Sequence, residues 1–471
     1  MDIEISRPLS DYEHFFRSRT ASGFYRNFQV TATYSQDLLE NLDSLYLALR
    51  KTILESHILI CNVNWDESLD NYIYHPIPRA TFGDLVVLKD SDKYISNGSI
   101  NERFMKVVTE MEFDLETNKP LFKLILVGSH DLCAVFEHTI ADGVVGNYFH
   151  ETLLKNLEYV SRESRTSKES IGLDTLIFDY ESDTTLFKYS LPPPIDLFVP
   201  GFEEDYSDNN PAYYDKVKPQ SFDKKWPGRF PSVKQNSIAF KHINFTPQET
   251  TSLLSKCKEN KVTLTSFIKV VLAYTLQPIF GDEHYTTHKV AVALRRYMDR
   301  SLAPPQYQAL FETPDYKILG TLAFTGFAEN FPPIKEFSWD LVKSVNSHLA
   351  IGTTNKKIFN TMKPFLASCD KSTNNTQFFM SLLNNPRADA VKISNLGFIK
   401  FPPCGPWTIT NIIFSQDMSG PAADFMLNVV STSQGGLNLV LSYYDTSFED
   451  SQFENFDLFI PKLKENLLRL N

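Results

Sequence analysis

The side chains best suited to proton chemistry in this sequence fall in one run of seven, Glu137-His138-Thr139-Ile140-Ala141-Asp142-Gly143. A histidine whose ring is held in one orientation can take a proton from a hydroxyl or an amine near neutral pH, because its ordinary pKa is about 6.5. Phe122–Gly128 reads as a strand, Ser129-His130-Asp131 as a turn and Leu132–Phe136 as a buried strand. Residues 144–157 read as an amphipathic helix. That order puts His138 at the end of a buried strand and Asp142 at the start of a helix. Gly143 lets the backbone turn tightly or pass close to a ligand. Taken singly, Asp142 also fits an ordinary N-cap and His138 an ordinary satisfied histidine. The order strand, motif, helix is what singles them out.

The elements that must hold this run are spread over both halves of the chain. Residues 36–54 carry a helical stripe (Leu38, Leu39, Leu42, Leu45, Leu49, Ile53) with Ser35 as its expected N-cap. Strands are expected at Ile58–Val63 and Leu85–Leu88, and a helix at 102–111. From 182 to 236 prolines prevent any long helix, and acidic residues give way to a basic run from Lys216 to Lys241. This reads as a surface connection between two domains, or as a basic cover for an anionic ligand. The second half opens on a capping box, Thr246-Pro247-Gln248-Glu249. A helix at 264–278, a strand at Val290–Leu294 and a hairpin of Phe425–Val430 with Leu437–Tyr443 follow. Residues 453–470 form a terminal stripe of Phe453, Phe456, Phe459, Leu463, Leu467 and Leu470. It suits packing on its own domain or contact with a membrane surface. The expected domains are 1–185 and 237–471, with 186–236 as the crossover.

Composition removes several functions. The 471 residues carry a net charge of −11, which disfavours nucleic acid as a partner. Cys61, Cys133, Cys257, Cys369 and Cys404 are odd in number and widely spaced, against a disulfide framework or a thiolate zinc site, so no metal is expected. The N-terminus lacks the pattern of a signal peptide, and no stretch of about 18 apolar residues occurs. An intracellular protein, in the cytoplasm or peripheral to endoplasmic reticulum or lipid droplets, is therefore expected. The sequons at Asn97, Asn244 and Asn374 would then stay unglycosylated. The 37 phenylalanines suggest a large apolar interior or channel.

HxxxDG after a strand resembles the signature of the CoA-dependent acyltransferase superfamily. That group includes chloramphenicol acetyltransferase, the plant BAHD enzymes, peptide-synthetase condensation domains and fungal alcohol acetyltransferases. Arg7-Pro8-Leu9-Ser10 with Glu13 looks like the opening of the fungal alcohol acetyltransferases. Phe113-Asp114-Leu115 with Pro120-Leu121, the strand Val290–Leu294 ending in Arg295-Arg296-Tyr297, and Ile393-Ser394-Asn395-Leu396-Gly397 extend the likeness along nearly the whole chain. Two departures narrow it. The plant DFGWG motif is absent, its nearest text being Asp424-Phe425-Met426, and Glu137 stands where condensation domains carry a second histidine.

The resemblance implies a mixed α/β (α+β) fold of two chloramphenicol-acetyltransferase-like domains, each a mixed β-sheet with helices, with a tunnel between them. It implies acetyl-CoA as co-substrate, no metal, and direct acetyl transfer with His138 as general base. Asp142 would orient the loop by pairing with Arg295, or failing that Arg296, with Gly143 beside it. Ser394 or Asn395 would serve the oxyanion or the CoA side, and Lys224 and Lys225 the CoA phosphates. The first reading is an O-acetyltransferase of apolar alcohols, acting as a monomer. The alternatives are an N-acetyltransferase that detoxifies sphingoid-base-like amino alcohols, and a non-catalytic lipid-binding or scaffold protein on the same fold. The intact motif argues against the last.

Overall fold

The apolar runs 122–127 and 131–136 pair as an antiparallel hairpin, Phe136 opposite Phe122 and Asp131 opposite Val127. Gly128 closes the turn with a φ of +60°, a conformation that costs a residue without Cβ little. Both strands are buried along most of their length, as continuous apolar runs require. In the computed structural model, residues 3–163, 171–198, 222–228, 238–312, 320, 323–353, 375–383, 385–387, 389–420, 422–444 and 456–470 are described.

Two mixed sheets organise these residues. The strands used below are β1 (Phe28–Tyr34), β2 (Val86–Lys89), β3 (Phe122–Val127), β4 (Asp131–Phe136), β5 (Ile238–Phe245), β6 (Thr286–Ala293), β7 (Ala323–Phe331), β8 (Asp389–Ile399), β9 (Ile409–Gln416), β10 (Ala423–Thr432) and β11 (Gly436–Tyr444). The first sheet has the order β9-β1-β4-β3-β2 and the second β5-β11-β10-β8-β6-β7. In the first sheet only β2 and β3 run parallel; in the second, β8 runs parallel to both β6 and β10. The helices are α1 (Asp11–Ala21), α2 (Leu42–Glu55), α3 (Glu102–Thr109), α4 (Gly143–Arg162), α5 (Pro247–Glu259), α6 (Leu264–Phe280), α7 (Trp339–Thr353) and α8 (Phe456–Arg469).

Each sheet has its own core. Val145, Phe149, Leu153 and Leu157 of α4 pack with Leu45, Leu49 and Ile53 of α2 and with the first sheet. Phe267, Val271 and Leu276 of α6 pack with Phe459, Leu463 and Leu467 of α8 over the second. The buried side of the terminal stripe therefore faces its own domain. Among the described residues no single helix is long and apolar enough to cross a membrane. A third cluster, Tyr12 and Phe16 of α1 with Phe198, Leu294 and Met298, joins the two halves.

Strand β9 crosses the expected boundary at 237. It comes from the second half yet pairs antiparallel with β1, Ile412 opposite Ala32 and Gln416 opposite Phe28. Asn438 of β11 donates to Asn411 Oδ1 and to the carbonyl of Ile412, both at 2.8 Å, so β9 is tied to both sheets. Local signals missed other details. The helix expected from residue 36 begins at Leu42, and Ser35 instead accepts from the Thr408 N–H, beside β9. His57–Ile60 is a 3₁₀ turn before the strand Cys61–Asp66, and Phe82–Leu85 is a helical turn before β2. Short apolar runs do not distinguish these states without their neighbours. The capping box at Thr246 forms with both of its hydrogen bonds. Of the Pro-rich crossover, the described part at 186–198 lies on the first half, with Leu191 N–H donating to the Glu4 carbonyl; residues 199–221 lie outside the described residues.

Candidate active site

His138 is separated from the end of β4 by Glu137 alone and is partly buried. Its ring is walled by aromatic groups from three places. Phe16 of α1 stacks on it at 4.5 Å and 14°. Tyr25 and Phe28 meet it edge-on, each at 5.4 Å. Phe28 itself stacks on Phe136 of β4, so sheet packing sets the position of the wall. Burial, and next the positive charge of Arg19, hold the imidazole well below its ordinary pKa. A hydrogen bond with its own backbone acts the other way. At neutral pH the ring is therefore uncharged and able to accept a proton.

Asp142 caps α4. Its Oδ1 accepts from the N–H groups of Val144 and Val145 at 3.1 and 3.2 Å. Its Oδ2 accepts from Arg295 Nη1 at 2.8 Å. Arg295, just after β6, donates its other terminal nitrogen to the Gly320 carbonyl at 2.6 Å. Asp142 is thus both cap and ion-pair partner, and the pair joins the motif to the second domain. Gly143 serves a purpose other than a tight turn. Its backbone is the first residue of the helix, and a Cβ there would lie 2.9 Å from Leu396 Cδ2 and 3.0 Å from Phe414 Cζ. Glycine at this position lets two side chains of the second half close against the helix start.

Further buried contacts hold the loop between β4 and α4 and the elements around it. Glu137 is fully buried; its carboxylate accepts from the Thr20 hydroxyl at 2.5 Å and from the Thr139 N–H at 2.7 Å. The Tyr74 hydroxyl donates to the Thr139 carbonyl at 2.8 Å. Arg7 forms a buried two-point pair with Glu13, at 2.8 and 2.7 Å, which fixes the entry to α1 and thereby Phe16. Asp424 pairs with Arg387 at 3.0 Å, beside Tyr444.

The remaining sequence candidates lie in the crossover and the second half of the chain, and Leu396, beside Asn395, meets the motif at Gly143. Ser394 of β8 lies opposite Ala291 and Asn428, partly buried. The Asn395 amide is already engaged, donating to Thr265 Oγ1 and accepting from the Gly397 N–H, each at 2.8 Å. Lys224 and Lys225 are exposed in a segment pinned to Tyr285 at the start of the second sheet, with Trp226 edge-on to Phe280 at 4.8 Å. The Arg296 side chain lies outside the described residues. Phe16, Arg19, Thr20 and Tyr25 were not apparent from sequence, because α1 and the segment after it reach His138 only through the tertiary fold. Among the described residues no group of His, Cys, Asp and Glu could hold a metal ion.

A neutral histidine, an Asp–Arg brace between two sheets and the same order of elements fit acyl transfer. The family model for alcohol acetyltransferases matches residues 9–467. The chain belongs to the alcohol acetyltransferase family. This alcohol acetyltransferase family member is 23% identical to the N-acetyltransferase SLI1 of Saccharomyces cerevisiae, across 93% of this chain and 95% of the yeast protein. It is 22% identical to the probable alcohol acetyltransferase crmB of Aspergillus fumigatus, across 91% and 92%. Its fold matches the trichothecene 15-O-acetyltransferase TRI3 of Fusarium sporotrichioides with a TM-score of 0.64 at 12% identity, covering 99% of this chain and 95% of that one. The first condensation domain of the calcium-dependent antibiotic synthetase matches with a TM-score of 0.62 at 14% identity, covering 99% and 97%. The two-domain acyltransferase fold and the enzyme class follow: the protein is an acyltransferase, with an acyl-CoA as co-substrate and a small molecule as acceptor.

Proposed function

We propose that the enzyme moves an acetyl group from acetyl-CoA directly to the hydroxyl of an apolar alcohol, with His138 as general base. The observation that carries this reading is the His138 ring enclosed by Phe16, Tyr25 and Phe28, a setting that disfavours its charged form. The imidazole takes the hydroxyl proton as the alcohol oxygen attacks the thioester carbon. The tetrahedral intermediate then collapses, the C–S bond breaks, and the proton passes to the CoA sulfur. No acyl-enzyme is needed. Aromatic walls favour an apolar acceptor because they offer dispersion and little hydrogen bonding. With the Asn395 amide already occupied, the Ser394 hydroxyl is the better of the two candidates to donate to the oxyanion. Lys224 and Lys225 are candidates for the CoA phosphates; charge reversal at both should raise KM for acetyl-CoA, and an unchanged KM removes them.

The test is thiol release by purified protein given acetyl-CoA and a panel of alcohols, sterols and long-chain amines. His138→Ala should lower kcat by about 10²–10⁴-fold with CoA binding retained. A variant that turns over at the wild-type rate overturns the assignment. A second reading, acetylation of a long-chain amino alcohol on nitrogen, is favoured by the likeness to a protein named as an N-acetyltransferase along nearly its whole length. The same base would then serve an amine, and turnover confined to amines would select this reading.

A further inference from the structure

Arg19, partly buried, stands apart from the three fully buried arginines. Arg7, Arg295 and Arg387 each meet a buried carboxylate, at 2.7, 2.8 and 3.0 Å. Arg19 has no such partner among the described residues, and its Nε and Nη2 are buried without a hydrogen bond. Its guanidinium lies 4.0 Å from the centre of the Tyr25 ring and 4.8 Å from that of Phe16. Those are two of the three rings that wall His138. Guanidinium nitrogens shut off from water against aromatic faces are costly, and proteins ordinarily pair or expose them.

We propose that Arg19 is a positioning residue of the acyl transfer: a guanidinium with no ion-pair partner among the described residues, lodged against two rings of the His138 wall, whose charge acts on His138 and on the oxyanion of the transfer. The inference rests on the reading of His138 as the base. A nearby cation disfavours a second positive charge and favours a negative one. The imidazolium formed during transfer is transient, and the same cation speeds release of its proton to the sulfur.

The surrounding charges fit this role. On α1 and the segment after it, Tyr12 and Tyr25 face the guanidinium, and Glu137 and Asp417 are the nearest acids. Both offset part of the charge from a distance, and neither forms an ion pair with it. Glu137 is taken up by Thr20 and Thr139 and is pushed upward by burial. Asp417 accepts from the N–H groups of Arg26 and Met418, at 2.8 and 2.7 Å, and burial pushes it up to about 6. From the second sheet, Lys392 adds positive charge; it shares Asp389 with Lys289, at 3.5 and 3.1 Å, and feels Arg19 as a like charge.

Arg19→Met keeps much of the apolar stem and removes the charge, and Arg19→Lys keeps the charge. In R19M the acidic limb of kcat/KM should move up by about one pH unit, and kcat should fall about 10–100-fold while KM for acetyl-CoA stays within about twofold. R19K should return the acidic limb to its wild-type position. A folded R19M, shown by an unchanged melting temperature and CoA affinity, with the wild-type pH profile and kcat overturns the proposal. Should R19M fail to fold, R19Q carries the same test; if both fail, Arg19 is needed for the fold, and the assignment to the reaction is withdrawn. Failure of the underlying reading looks different: His138→Ala would then turn over at the wild-type rate, and the Arg19 assignment falls with it.

Discussion

Replacing Asp142 by alanine removes a helix cap and an ion pair at once. The cap is the pair of N–H groups of Val144 and Val145 on Oδ1, and the ion pair is Arg295 on Oδ2. Asp142 is fully buried and the Arg295 side chain is 6% exposed, so water cannot replace either partner. Loss of a cap costs about 1 kcal/mol, and leaving one member of a buried pair alone costs about 3–5 kcal/mol. Asp142→Ala should therefore destabilise the protein by about 4–6 kcal/mol. Asp142→Asn keeps an oxygen for the cap and loses the charge, so it should fall between alanine and wild type. Removing both charges in Asp142→Asn with Arg295→Met relieves the stranded guanidinium and leaves the Gly320 carbonyl as the new deficit. The double variant should be more stable than the sum of its singles by about 2–3 kcal/mol. Urea unfolding followed by tryptophan fluorescence measures this, using the first transition if the two sheets separate in steps. Kinetics of the folded variants should show the rate falling with the pair. An Asp142→Ala protein with the wild-type midpoint, or strictly additive singles, would refute the argument that the pair braces the loop.

Gly146 faces β1 so closely that a Cβ would lie 2.5 Å from Val30 Cγ2. Gly146→Ala should cost about 1–3 kcal/mol, and Val30→Ala in the same chain should recover part of it; a melting curve that is unmoved in the single variant contradicts the packing. Stability should fall on acidification because of buried, neutral histidines. Burial lowers His150 to about 4 in the folded protein, against 6.5 when exposed. Between those values the unfolded chain binds the proton and the folded one does not, so stability is lost as pH drops from 6.5 towards 4, at up to about 1.4 kcal/mol per unit. His57, lowered to about 3, extends the loss further. His150→Gln should make the dependence shallower, and an unchanged slope excludes His150 as a contributor.

What could be read from the residues alone was local in kind. The hairpin 122–136, the position of His138 after it, the helix starting at Gly143 and the capping box at Thr246 follow from apolar runs, a glycine turn and side-chain caps, each acting within a few residues. The terminal helix was visible as a stripe, but which surface it covered depended on α6, nearly two hundred residues earlier. Ser35 had the right chemistry for a cap and is used beside β9 instead, since a hydroxyl bonds whatever backbone group the fold brings to it.

The sequence by itself determined the family, through a motif whose spacing and flanks are legible, and marked His138 as the candidate for its chemistry. Tertiary structure alone decided the setting of that histidine. Phe16, Arg19 and Tyr25 stand more than one hundred residues before it, and Arg295 more than one hundred and fifty after it. Aromatic contacts, ion pairs and electrostatic fields depend on distance in space, and local periodicity holds no record of which distant residues the two sheets bring to within a few ångströms.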